Sequence, residues 1–213
     1  MTDPRFDRIA ALIARFGTHS YGEEVTQIGH IEQCAQLAIE AGENDAMIVA
    51  ALLHDIGHFI DDAGNMAKAL GMDARHQELG AAFLARWFGP EVTEPVRLHV
   101  AAKRYLCAVE PGYTQGLSSA SKLSLSLQGG AMSADEIAVF KTRPWFAQAV
   151  RLRRYDDEGK RIDWAVPDLA SHHDRIVAVM IGALRARQAL QTRSEEHTSN
   201  SSHGTTSRMP SSA

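Results

Sequence analysis

The residues best able to do chemistry form an ordered series of histidines and aspartates: His30, the adjacent pair His54 and Asp55, then His76, His99 and Asp156. Imidazole and carboxylate together suit borderline transition ions such as iron, zinc or manganese. No cysteine stands in the series, which argues against a structural zinc site. Six such side chains exceed what one ion needs. If Asp55 bridges two ions, the set divides into His30, His54 and Asp156 on one and His76 with His99 on the other. Both ions then keep open positions for substrate and oxidant. Taken singly, any of these histidines is as readily an ordinary core or surface residue, and an isolated His-Asp pair is a weak signal. The number and order of the set carry the weight.

The elements that must position this set read as helices separated by short loops. Asp55 ends the strongly apolar run AALLHD, where a buried, unpaired carboxylate is costly unless a cation compensates. Adjacent helical residues differ in direction by about 100°. His54 and Asp55 therefore reach a common metal only if they sit at the inner end of a helix. The apolar spacing predicts helices over Phe6 to Phe16 and Ile28 to Ala41, closed by Gly17 and Gly42, then one starting at Asn44 or Asp45 and running through MIVAALLHDIGH. Further helices are predicted over Arg75 to Phe88, Pro90 to Tyr105, Ser118 to Leu127, Ala134 to Phe140 behind a Ser133/Glu136 capping box, Arg143 to Tyr155 with Pro144 in its first turn, and Pro167 to Ala189. No strand-like alternation persists, so the expected class is all-α, a helical bundle.

Composition narrows the partners. The chain has 213 residues with ordinary hydrophobic (45%) and charged (23%) fractions, and its net charge of −4 offers no basic field for nucleic acid or membrane. A small-molecule ligand is expected. Cys34 and Cys107 lie outside any CxxC pattern and read as reduced thiols. The opening MTDPRFDRIA lacks a basic region followed by an apolar one, and no apolar run is long enough to span a bilayer, so a cytoplasmic setting is expected. Residues 1–192 are read as one domain. Residues 193–213, rich in Ser and Thr, are expected to be a disordered tail; RSEEHTS within it resembles a translated sequencing adapter, and His197 and His203 are set aside as ligands.

The order H…HD…H…H…D resembles the HD-domain superfamily, an all-helical fold of metal-dependent phosphohydrolases that also includes mixed-valent di-iron oxygenases. The segments YGEEVTQIGHIEQCA (21–35), AALLHDIGH (50–58), HVAAKRYL (99–106), LQGGAM (127–132) and RRYDDEGK (153–160) carry a narrower resemblance. They are similar to the oxygenases that act on 2-amino-1-hydroxyethylphosphonate, forming glycine, and on its trimethylated analogue. The similarity runs to about Leu190.

The resemblance implies two iron ions, Fe(II)/Fe(III), with O2 as cosubstrate: His30, His54, Asp55 and Asp156 on the first iron, and Asp55, His76 and His99 on the second. It implies that the C–P bond of a 1-hydroxyphosphonate is cleaved to a carboxylate (glycine or glycine betaine) and phosphate. Lys103, one turn beyond His99, and Arg153 would meet the phosphonate as cations, Ser121 and Ser124 would offer hydroxyls on one helix face, and His58 would stack on His54 and donate to the phosphonate. Tyr21 and Glu23 resemble a tyrosine–glutamate pair that covers the second iron until substrate displaces it; a one-residue difference in spacing leaves Glu24 as the alternative to Glu23. Tyr21, Tyr105 and Tyr155 are the rings available for an aromatic wall around a quaternary ammonium. The rival is an HD-type phosphohydrolase of a nucleotide or small phosphate ester, which would use nearly the same ligands. A ligand-sensing module without turnover and a cyclitol oxygenase fit the motifs less well.

Overall fold

The computed structural model describes residues 3–20, 24–62 and 75–202, and among these every regular element is helical. The first two helices, α1 (Pro4–Phe16) and α2 (Gln27–Glu40), are each started by a side chain that accepts from an orphan amide: Asp3 from Arg5, Thr26 from Gly29 at 3.2 Å. Helix α3 (Asp45–Leu53) is capped by Asn44, which accepts from the Met47 amide at 2.9 Å. Every residue from Met47 to Leu53 is buried, so beyond its first turn α3 has no solvent face and runs through the core. It stops at Leu53, and His54 and Asp55 form the turn into a 3₁₀ segment, Ile56–Asp62. The helix predicted to run on to His58 thus ends earlier and tightens.

Helix α4 (His76–Leu84) begins after Arg75, which takes a left-handed conformation with φ 47° and supplies no side-chain cap. Helix α5 (Pro90–Val109) has Pro90 in its first turn, where the missing N–H costs nothing. A short α6 (Tyr113–Gly116), which no spacing signalled, leads into α7 (Ser119–Leu127). The Ser133/Glu136 capping box forms ahead of α8 (Ala134–Lys141) as its sequence requires. Helix α9 (Phe146–Glu158) starts three residues later than predicted from Arg143, because Trp145 sits at φ 69° and turns the chain before the helix can begin. A 3₁₀ turn, Leu169–His172, precedes α10 (His173–Ser202). That helix continues from Arg193 to Ser202, through residues expected to be disordered. Extending an existing helix needs no new nucleus, so polar residues follow it outward.

Helices α2, α3, α5 and α9 pack around one another, α4 lies on α5 and on the 3₁₀ segment, and α10 lies along α3. The main core joins α1 to α4 with the start of α5 and parts of α9 and α10. A smaller cluster joins Leu98, Ala102, Phe140 and Ala149 with the rings of Tyr105 and Phe146. No helix among the described residues is long and apolar enough to cross a membrane.

Candidate metal centre

All six residues of the predicted series converge between α2, α3, α4, α5 and α9, and all are buried. Asp55 stands in the middle. Its Oδ2 lies 3.7 Å from His30 Nε2, and its Oδ1 lies 3.5 Å from His54 Nε2, 3.5 Å from His76 Nε2 and 3.9 Å from His99 Nε2. Asp156 Oδ1 closes the first side at 3.5 Å from His30 Nε2 and 4.0 Å from His54 Nε2. The early end of α3 explains how neighbouring His54 and Asp55 both point inward: neither is bound by the 100° step of a continuing helix.

The histidines are oriented by backbone carbonyls. His30 Nδ1 donates to Gly159 O at 2.8 Å, His54 Nδ1 to Ala51 O at 2.8 Å, and His99 Nδ1 to Val96 O at 2.7 Å. A carbonyl only accepts, so each neutral ring carries its proton on Nδ1 and turns a bare Nε2 lone pair to the centre. His30 and His54 face each other Nε2 to Nε2 at 3.3 Å, and His76 and His99 do so at 3.1 Å. Where both nitrogens of such a pair are bare, their lone pairs repel at that distance, and a shared proton or a metal cation relieves the repulsion. Imidazole nitrogens ~2.1 Å from one ion stand roughly 3.0–3.4 Å apart at ordinary coordination angles. Each histidine pair therefore fits the ligand edge of a metal ion.

Charge agrees with geometry at the carboxylates and at the second histidine pair, whereas against its burial Cys34 and Asp156 raise His30 well above the usual imidazole value, so a metal there would have to displace a proton. Burial would raise the Asp55 carboxyl, but the imidazoles of His54, His58 and His76 outweigh it and hold it below the ordinary carboxylate range. Asp156 is likewise held low against burial, by Arg153, His30 and Lys160. Burial depresses His76 well below the usual imidazole value and takes His99 down to about 4, so both rings are neutral near pH 7, as a ligand must be. Cys34 lies 3.7 Å from His30 Nδ1, close enough to the first pair to count as a donor by distance. Burial pushes its thiol up, however, and Sγ donates to Tyr155 O at 3.3 Å, so it packs behind His30 as a protonated thiol.

The predicted substrate residues are placed unequally. Lys103 is buried, with Nζ 2.7 Å from Ser124 Oγ, and Ser121 is buried one turn earlier on α7. Arg153 is fully engaged on carboxylates and a phenol: Nη1 donates to Asp156 Oδ2 at 2.6 Å, Nη2 to Asp157, and Nε to the Tyr113 hydroxyl at 3.0 Å. Its observed part is to hold Asp156 in place. His58 stacks on His76, with centroids 3.9 Å apart and planes at 18°, and not on His54. The resemblance implies stacking on His54, but His58 lies in a 3₁₀ segment and its ring meets His76 instead. Tyr21 and Glu23 lie outside the described residues. Glu24 lines a cavity of about 220 Å³ with Gly116, Ser118, Asp157 and Lys160. Tyr105 packs against Phe140 and Phe146, and Tyr155 donates to Glu43 at 2.9 Å, so neither lines that cavity.

Residues that sequence reasoning did not single out complete the surroundings. Asp157 and Tyr113 hold the far side of Arg153, and the Tyr113 hydroxyl donates to Asp157. Gly159 supplies the carbonyl that orients His30, and a Cβ there would meet Cys34 Sγ at 2.6 Å. Asp157 and Lys160 sit four residues after Arg153 and Asp156, the spacing of neighbours on a helix, and could have been found that way. Tyr113 had no such signal.

The HD domain family model matches residues 28–127, a stretch carrying five of the six converging side chains. Among curated proteins, hydroxymethylphosphonate dioxygenase of Gimesia maris is 45% identical over 81% of this chain and 86% of its own length. The glycine-betaine-forming [1-hydroxy-2-(trimethylamino)ethyl]phosphonate dioxygenase of Leisingera caerulea is 45% identical over 75% of this chain and 82% of its own. An uncharacterized protein of Acanthamoeba polyphaga mimivirus is 34% identical over 79% and 78%. Identity at this level across most of both chains extends beyond the metal-binding stretch, and on it this chain belongs to the HD-domain phosphonate dioxygenases.

Proposed function

We propose that this protein is a di-iron oxygenase that cleaves the C–P bond of a small 1-hydroxyphosphonate. The observation that carries this is Asp55 standing between two confronted imidazole pairs, in a chain whose relatives are named for two 1-hydroxyphosphonates. His30, His54 and Asp156 would hold the first iron, His76 and His99 the second, with Asp55 shared. An Fe(II)/Fe(III) pair there supplies Lewis acidity toward the substrate's oxygens and the redox capacity to use O2. The sum balances without an outside reductant: a hydroxyphosphonate plus O2 gives a carboxylic acid plus phosphate, both atoms of O2 ending in products.

The chain's own residues bind and orient. Lys103, held by Ser124, presents an ammonium one helical turn from His99 and grips a phosphonate oxygen as a point charge. Ser121, on the same face of α7, offers a hydroxyl to the same group. Arg153 keeps Asp156 ionised and in register. His58, stacked on His76 and 3.9 Å from Asp55 Oδ1, steadies the second side and donates to bound substrate. Tyr21 and Glu23, with Glu24 as the alternative to Glu23, guard the second iron before substrate arrives. The unit responsible is residues 1–192, with a cytoplasmic, reducing setting to keep ferrous iron available.

The test is phosphate release by anaerobically prepared, iron-loaded protein from hydroxymethylphosphonate, 2-amino-1-hydroxyethylphosphonate and its trimethylated analogue, with and without O2, beside a nucleotide monophosphate. Oxygen-dependent release from a hydroxyphosphonate is expected, and the preferred member identifies the substituent. Release from the nucleotide alone, indifferent to O2, would reassign the protein to hydrolysis.

A further inference from the structure

Two ammonium groups stand beside the serines of α7. Lys103 Nζ lies 2.7 Å from Ser124 Oγ, and Lys160 Nζ lies 3.4 Å from Ser121 Oγ. Ser121 and Ser124 are one turn apart on a single helix face, so two lysines from different elements, α5 and the turn after α9, come to adjacent hydroxyls. Lys160 also lies 3.8 Å from Asp156 Oδ1 and lines the cavity that Glu24, Gly116, Ser118 and Asp157 complete. It therefore stands between that cavity and the metal-facing carboxylate.

Its position is fixed by the same turn that orients a metal-facing histidine. The preceding Gly159 gives its carbonyl to His30 Nδ1 at 2.8 Å, and any Cβ at Gly159 would press on Cys34 Sγ. Lys160 thus departs from a pinned point. Arg153 holds the same carboxylate at 2.6 Å. A second cation 3.8 Å from Asp156, beside a hydroxyl and facing a cavity, is placed for an anion that enters from outside.

We infer that Lys160 binds the phosphonate group together with Lys103, and that this pair selects the dianionic phosphonate over singly charged carboxylates and phosphonate monoesters. The inference rests on the oxygenase reading for its substrate class. Two ammonium groups and two hydroxyls can meet three equivalent oxygens carrying two charges, whereas a carboxylate or monoester leaves one ammonium unmatched.

The test is calorimetric binding of methylphosphonate, which has no hydroxyl to oxidise, to anaerobic metal-loaded protein near pH 7.5, with acetate and monomethyl methylphosphonate as singly charged comparisons. Lys160→Met is expected to weaken methylphosphonate binding roughly ten- to hundredfold while changing the monoanions little. Lys160→Arg should retain most of the affinity. Metal content and thermal midpoint should match the parent in both variants. Parent-like methylphosphonate binding by Lys160→Met would overturn the inference, as would no binding by the parent. Loss of metal along with binding would also overturn it, reducing Lys160 to a support for Asp156. The oxygenase reading fails separately: the parent would release no phosphate from hydroxyphosphonates with O2, whatever the lysine dependence of methylphosphonate binding.

Discussion

The two sides of the metal centre are built differently. On the first, His30 and His54 each have Nδ1 fixed to a backbone carbonyl, and Asp156 is held by Arg153. These residues project from α2, the end of α3 and α9, which pack against one another. On the second, His99 is fixed in the same way, but His76 is the first residue of α4, after a left-handed Arg75 and with no side-chain cap on the helix. Its support comes from outside its own helix, from the His58 ring stacked on it, while Gly57, where any Cβ would strike the His76 carbonyl, leaves the space that carbonyl occupies. The first side is a product of core packing and the second of a junction. The lesson is that one carboxylate, Asp55, would join an ion held by the fold to an ion held by a turn, so the two should differ in how readily they are lost.

The largest expected effect comes from removing what the sides share. Asp55→Ala should lose both metals and all oxygenase activity; metal analysis matching the parent would show that Asp55 does not bridge. Next, His76→Ala should retain about one metal per chain and lose turnover, while His30→Ala should disturb both ions because it opens the packed side. If His76→Ala empties the centre completely, the proposed inequality is wrong. A subtler break is Gly57→Ala, whose Cβ would lie 1.9 Å from the His76 carbonyl oxygen and 2.8 Å from the Gly80 nitrogen. It should destabilise the protein by about 1–3 kcal/mol, as overpacking does, and release the second metal preferentially, read by thermal melts and metal stoichiometry together.

Smaller effects fall on substrate binding. Lys103→Ala should keep both metals and weaken methylphosphonate binding roughly ten- to hundredfold, the range for a lost hydrogen bond to a charged group. The smallest is a pH effect. Burial, and then Arg153, lowers Lys103 to about 8, while Asp156 and Asp157 oppose the shift and Lys160 adds to it. The ammonium is present below that pH and lost above it, so phosphonate affinity should fall as pH rises through about 8. In Lys103→Ala the affinity should be weak but lack this decline. A parent affinity that stays level from pH 7 to 9.5 would remove Lys103 from the anion site.

Most of the helices were legible because caps and apolar spacing are local signals. Asn44, Thr26 and the Ser133/Glu136 box start helices where their chemistry says they should. The convergence of six distant side chains was legible only as an ordered set, since no spacing connects His30 to Asp156. What escaped was decided by backbone turns. The stop at Leu53 redirected His58 onto His76, and Trp145 at φ 69° delayed α9. Arg153 lies beside Asp156, its donors taken by Asp156, Asp157 and Tyr113, and the Tyr113 contact spans forty residues with no periodicity to announce it.

The carbonyl of Gly159 has a consequence for how the protein is made. It orients His30 across 129 residues of chain, and it emerges from the ribosome together with Asp156, after the whole 28–127 stretch. A nascent chain released to residue 127 would hold five of the six metal-facing side chains, but His30 would lack its orienting acceptor and the first side its second carboxylate. Bringing residues 30 and 159 together closes a long loop, which becomes favourable only when α9 can dock on α2 and α5. Metal capture is therefore expected as a late step of biosynthesis, and a truncated translation product would be a weak scavenger of metal.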